Sequence, residues 1–231
     1  MRRHKDVLSL LKPSATSFSR ANGFNKEAVN NFFDILEAEY RKHKYPADRV
    51  VNVDETGISL VQSKIPRVIG LRGKRQVGAL SSAERGSLDP VICCMSAGGT
   101  FISPMLIFPR KNMTDLLMKG APPRAIGRFH PSGWIQSNLF TDWLRHFIEK
   151  TKPTKGDTVL LILDDRNSHT KNIDIVNLAR DNFISIISLP HKLQPLDKSF
   201  LGPLKHHYSE KYAGIFDMAK NEWDPMTLRS F

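Results

Sequence analysis

The stretch VLLILDDRNSH, from Val159 to His169, constrains this chain most: five consecutive apolar residues run straight into Asp164, Asp165 and a polar turn. Alternate side chains of a strand point to opposite sides, so an unbroken apolar run needs cover on both faces. It therefore predicts a central strand of an α/β sheet. Ile175, Leu178 and Ala179 then mark a short helix before a second apolar run, ISIISLP, from Ile184 to Pro190. Acids at the end of such a strand sit on the rim, where open α/β sheets bind ligands. Asp is also an ordinary turn residue, and this stretch alone permits a purely structural role for Asp164 or Asp165.

The pattern recurs, and the recurrence shifts the balance. Upstream, VVNVDETGI (Val50 to Ile58) is a β-branched strand running into Asp54 and Glu55, and downstream HKLQPLD brings Asp197 shortly after the Ile184 strand. Three sequence-distant strands that each deliver a carboxylate can gather those carboxylates around one point. Oxygen-rich clusters of that kind hold Mg²⁺ or Mn²⁺, which usually bring phosphate with them.

Charge points the same way. The 231 residues carry a net charge of +11, and such an excess favours a polyanionic partner, nucleic acid before anionic membrane. No apolar run approaches the roughly 18 residues needed to span a bilayer, and no signal peptide opens the chain, so a membrane role is not expected. Cys93 and Cys94 are adjacent in an apolar run, VICCMSA. Neighbours in a strand face opposite ways, so they read as small core residues of a reducing compartment rather than a disulfide or a metal site.

The remaining elements follow from local signals. Asn25 is a good N-cap for an amphipathic helix from Lys26 to about His43, with Val29, Phe32, Phe33, Leu36 and Tyr40 at helical spacing. Between Thr56 and Ala83 lie Lys64, Arg67, Arg72, Lys74 and Arg75 and no acid, which suggests a hairpin with a basic rim suited to phosphate. Pro90 to Ala97 and Phe101 to Phe108 read as a hairpin around Gly98 and Gly99, with Pro104 marking a bulge or an edge. Pro109 to Gly133 reads as a long surface loop. Ser137 is placed as the cap of a second helix with a wide apolar face, ended before Pro153, and Phe200 to about Lys220 as a helix carrying Lys205, His206, His207 and Lys211.

At this point the motifs themselves are recognisable. NVDETGI, GKRQVGALSSAERG, MLIFPR, PSGW, LLILDDRNSH and HKLQPLD, in that order, resemble the DDE superfamily endonucleases of the pogo, Tigger and jerky type. The resemblance implies a ribonuclease H-like fold, an α/β mixed sheet flanked by helices, with two divalent metal ions (Mg²⁺ or Mn²⁺) and DNA strand cleavage and transfer. It implies that residues 1–24 are the tail and linker of an upstream helix-turn-helix module, and that 25–231 are the endonuclease domain, cut short at its C-terminus. Carried across residue by residue, the family's acids fall on Asp54, Asp164 and Asp197 as catalytic residues and metal ligands. DNA is the expected partner, reached through Lys64, Arg67, Arg72, Lys74, Arg75 and Lys205, in the nucleus, with a homo-oligomer left open. His169 is kept out of the catalytic set, a structural role at its strand-to-helix turn standing beside one of orienting a nearby backbone group or carboxylate.

Two departures from the family pattern bear on activity. Asp165 adds a charge beside the second acid, and the segment between Pro190 and His191 lacks about four residues, which in extended chain span on the order of 13 Å. Weakened turnover is expected, and the alternative is a transposase-derived DNA-binding protein without catalytic activity.

Overall fold

The computed structural model describes residues 25–59, 88–164 and 172–208. Its centre is a six-stranded sheet. The strands are β1 (Val50–Ser59), β2 (Leu88–Ser96), β3 (Phe101–Phe108), β4 (Ile126–Phe129), β5 (Val159–Asp164) and β6 (Ile184–Leu189), arranged in the order β4-β3-β2-β1-β5-β6. β1, β2 and β3 form an antiparallel meander, whereas β1 with β5, β5 with β6, and β3 with β4 pair in parallel. The apolar run from Val159 is thus an interior strand, with every residue of β5 buried.

Helices cover both faces. On one side, α2 (Ser137–Thr151) and α3 (Ile173–Asp181) pack on the odd-numbered residues of β1 and β5. Val51, Val53, Val159, Leu161 and Leu163 share a cluster there with Phe140, Trp143, Leu144, Phe147, Ile175 and Ala179. Trp143, Leu144 and Phe147 retain no exposed surface, and burying such side chains contributes about 1.5–3 kcal/mol each.

The other side carries two separate clusters. Phe32 and Leu36 of α1 (Lys26–His43) meet Leu160, Ile162, Ile187 and Leu189 over the β5–β6 end. Leu196 of α4 (Pro195–Ser199) and Leu201, which opens the helical residues 201–208, meet Val91 and Cys93 of β2. Between these clusters lie Asn52 and Asp54 of β1 and, at the end of β5, Asp164.

Three local expectations need correction, and two others hold. Ile126–Phe129, expected within a loop, is an edge strand whose residues pair with β3 from Met105 onward. Gln136, not Ser137, occupies the cap position of α2, and no side chain caps that helix. β3 is an interior strand, and its proline lies where the β2–β3 register shifts between Ile92 and Cys94, so the bulge reading holds and the edge reading does not. Asn25 caps α1 as expected, accepting a hydrogen bond from the Ala28 amide at 2.8 Å. Cys93 and Cys94 are both buried and face opposite sides of the sheet. The expected basic hairpin from Lys64 to Arg75, the expected module tail at residues 1–24, Asp165, His169 and the chain beyond residue 208 lie outside the described residues.

Candidate active site and its carboxylates

β1 and β5 run side by side in parallel, with Val51 opposite Leu161 and Asn52 opposite Ile162. Two residues further along each strand come Asp54 and Asp164, so period-two alternation puts both acids on the same face, between the two smaller clusters. Both are buried, Asp54 retaining 5% and Asp164 4% of its accessible surface. The third acid arrives differently. β6 ends at Leu189, a single 3₁₀ turn (His191–Leu193) follows, and Asp197 lies in the first turn of α4, exposed to solvent.

The electrostatics tie these acids together. Burial pushes the Asp54 carboxyl up to about 7, a hydrogen bond from Gln194 opposes the rise, and the negative fields of Asp197 and Asp164 add to it. Asp54 Oδ2 is buried and has no hydrogen-bond partner among the described residues. A carboxylate held dry, with one oxygen unpartnered and other acids nearby, is stabilised by a cation. The donor set is all oxygen, which suits Mg²⁺ or Mn²⁺. Among the described residues, however, no three His, Cys, Asp or Glu side chains are gathered closely enough to hold an ion as they stand.

Residues not singled out from the sequence complete the site. His191 Nδ1 lies 3.4 Å from Asp164 Oδ2. Asn52 and Gln194 form a buried amide pair: Asn52 Nδ2 donates to Gln194 Oε1 at 2.9 Å and to the Ile162 carbonyl at 3.0 Å, and Gln194 Nε2 donates to the Val53 carbonyl at 2.9 Å. Asn52 Oδ1 accepts from the Leu196 amide at 3.2 Å. Each such bond contributes about 0.5–1.5 kcal/mol, and stranding one partner costs about 1–3 kcal/mol. The signal that the sequence carries for them is their place beside the acids in NVDE and HKLQPLD.

Cys93 stands directly across the β1–β2 ladder from Asp54. Its thiol is pushed up to about 11 by burial and then by Asp54, with Lys205 pulling the other way. The field of Lys205 therefore reaches the carboxylate face, although the side chain itself is exposed. It is the sole expected DNA-contacting residue within the described part of the chain.

The DDE superfamily endonuclease family model matches residues 87–229. The chain belongs to this DDE superfamily. In the Mos1 transposase paired-end complex with left transposon end, the solved chain shares 15% identity and superposes with a TM-score of 0.57, over 89% of this chain and 54% of that one. The Mos1 mariner paired end complex with Mn gives 14% identity and a TM-score of 0.57, over 89% and 55%. The mixed sheet flanked by helices is the ribonuclease H-like fold of those transposases. The MFS-type transporter clz9 of Cochliobolus lunatus is 28% identical over 183 residues, 75% of this chain. This DDE chain spans only 20% of that relative's length and little more than half of the Mos1 chains. No helix among the described residues is long and apolar enough to cross a membrane.

Proposed function

We propose that this is a metal-dependent DNA strand-cleaving domain of the transposase type, acting in the nucleus, in which Asp54, Asp164 and Asp197 hold two Mg²⁺ or Mn²⁺ ions. The observation that carries the reading is Asp54: a buried carboxylate with an unpartnered oxygen, on the same face as Asp164, within the field of Asp197. Family membership supports the chemistry, and the Mos1 complexes with a transposon end and with Mn support DNA and a divalent ion as partners.

Bound there, two divalent ions would activate water or a 3′-hydroxyl and stabilise the leaving oxygen of the phosphodiester. The chain's own residues set up that chemistry. Asp54 and Asp164 present their oxygens from adjacent strands, so their separation is fixed by the sheet. The β-sheet and the clusters around Phe32 and Leu196 keep bulk water from the inner side of Asp54. Lys205 on the exposed helix, with Lys64, Arg67, Arg72, Lys74 and Arg75, supplies sequence-independent attraction for the DNA backbone.

One observation favours a second reading, DNA binding without turnover: Asp197 is exposed, and three ligands are not assembled among the described residues. Plasmid nicking with Mg²⁺ or Mn²⁺ separates the two. Slow nicking that disappears in both Asp54→Asn and Asp164→Asn is the expected result. Nicking that survives both substitutions would overturn the assignment, and DNA binding with no nicking at any divalent ion concentration would establish the second reading.

A further inference from the structure

Asn52 and Gln194 stand in an arrangement that packing alone does not require. Asn52 precedes Asp54 by two residues, the Ile162 carbonyl that it engages precedes Asp164 by two, and the Leu196 amide that it accepts from immediately precedes Asp197. Gln194 closes the loop, donating to the Val53 carbonyl next to Asp54 and accepting from Asn52. Two side chains thereby touch all three acid-bearing segments. Gln194 has no exposed surface and Asn52 8%, so neither amide can trade its partners for water.

We infer that Asn52 and Gln194 are positioning residues that strap the Asp197 segment to the Asp54 and Asp164 strands and set the place of Asp197 relative to the two strand carboxylates; the inference rests on the proposed metal-dependent reading. The strap answers the short connection before Asp197. Only one 3₁₀ turn separates β6 from α4, and so short a segment gives α4 little apolar surface of its own. Leu196 inserts into the cluster with Val91 and Cys93, and the Asn52 oxygen fixes the rotation of that first turn by holding the Leu196 amide. Hydrophobic packing of one leucine tolerates sliding; a bond from a particular amide to a particular carbonyl oxygen does not. Metal-ligating carboxylates generally owe their orientation to such surrounding hydrogen bonds.

The test uses the whole chain with Gln194→Met, which keeps the length of the side chain and removes its hydrogen bonds, and Gln194→Glu, which keeps the shape and the acceptor but loses the bond donated to the Val53 carbonyl. Hydrogen–deuterium exchange on the metal-free proteins reads the strap directly. Exchange of the Leu196 to Ser199 amides is expected to rise at least tenfold in both variants, with β5 and α2 unchanged. Mn²⁺ titration is expected to show at least tenfold weaker binding, and plasmid nicking a loss in kcat with little change in DNA affinity. If one variant does not fold, the other carries both arms. Unchanged exchange at Leu196 to Ser199 in a folded variant would overturn the strap. Faster exchange with unaltered Mn²⁺ affinity would overturn its role in ligand spacing. A wild-type chain that binds no Mn²⁺ would overturn the metal-dependent reading instead, while the exchange arm still decides the strap.

Discussion

Asp54 is costly where it is. A carboxylate with 5% of its surface accessible and an oxygen that no described group satisfies opposes folding unless a cation is present. Asp54→Asn should therefore stabilise the metal-free protein at neutral to alkaline pH by about 1 kcal/mol or more, as removing a buried unpaired charge does. Thermal melts with and without Mn²⁺ check this, and a lower melting temperature for the metal-free variant would contradict it. His146 gives a pH dependence of known sign. Burial holds its imidazole below the ordinary value of 6.5, the Lys150 and Arg128 charges act in the same direction, and the Ser103 carbonyl and Glu149 oppose. Its folded value being depressed, the neutral ring's contribution is complete above pH 6.5 and is lost as the pH falls through the lower folded value. Wild-type stability should thus drop on acidification below 6.5, and His146→Gln should flatten that slope; parallel slopes in denaturant titrations would refute the assignment.

At the scale of elements, α2 is the helix the sheet depends on. Trp143 is fully buried and its indole N–H has no partner among the described residues. Trp143→Ala should cost about 3–5 kcal/mol, whereas Trp143→Phe, which removes the unsatisfied donor along with some volume, should cost less than about 1.5 kcal/mol. A Trp143→Phe loss as large as that of Trp143→Ala in urea denaturation would contradict this, because Phe refills most of the volume that Ala leaves empty. The same helix ends on Lys152 at φ 45°, left-handed backbone that a residue with a Cβ adopts at a cost. Lys152→Gly should raise stability by up to about 1 kcal/mol, measured by the same titration. Elements with a strong period were legible in the sequence: β5 from its unbroken apolar run, α1 from its cap and spacing. β4 was not, because IGRF is four residues long with a glycine inside, and its strand character comes entirely from pairing with β3. Ser137 looked like a cap because serine often is one, but Gln136 already takes the extended backbone that the position needs.

Among the described residues the ribonuclease H-like sheet carries Asp54 and Asp164 on one face, within a chain of net charge +11. That imbalance predicts DNA binding that weakens steeply between low and moderate salt and is sequence-tolerant, with Lys74→Ala/Arg75→Ala reducing it further; an affinity flat across that range would contradict phosphate-dominated contact. The placement of Asp54 and Asp164 on neighbouring strands was readable because each follows a run of strand-forming residues. Asn52, Gln194 and His191 were not, because their partners are backbone atoms and side chains more than a hundred residues away for both amides, and spacing along the chain carries no trace of that. Whether a divalent ion gathers the carboxylates is tested most directly by anomalous diffraction from crystals grown with Mn²⁺. Mn²⁺ is expected between Asp54 and Asp164 and is expected to be lost in Asp54→Asn. Strong Mn²⁺ peaks elsewhere, with none between those two carboxylates, would contradict it.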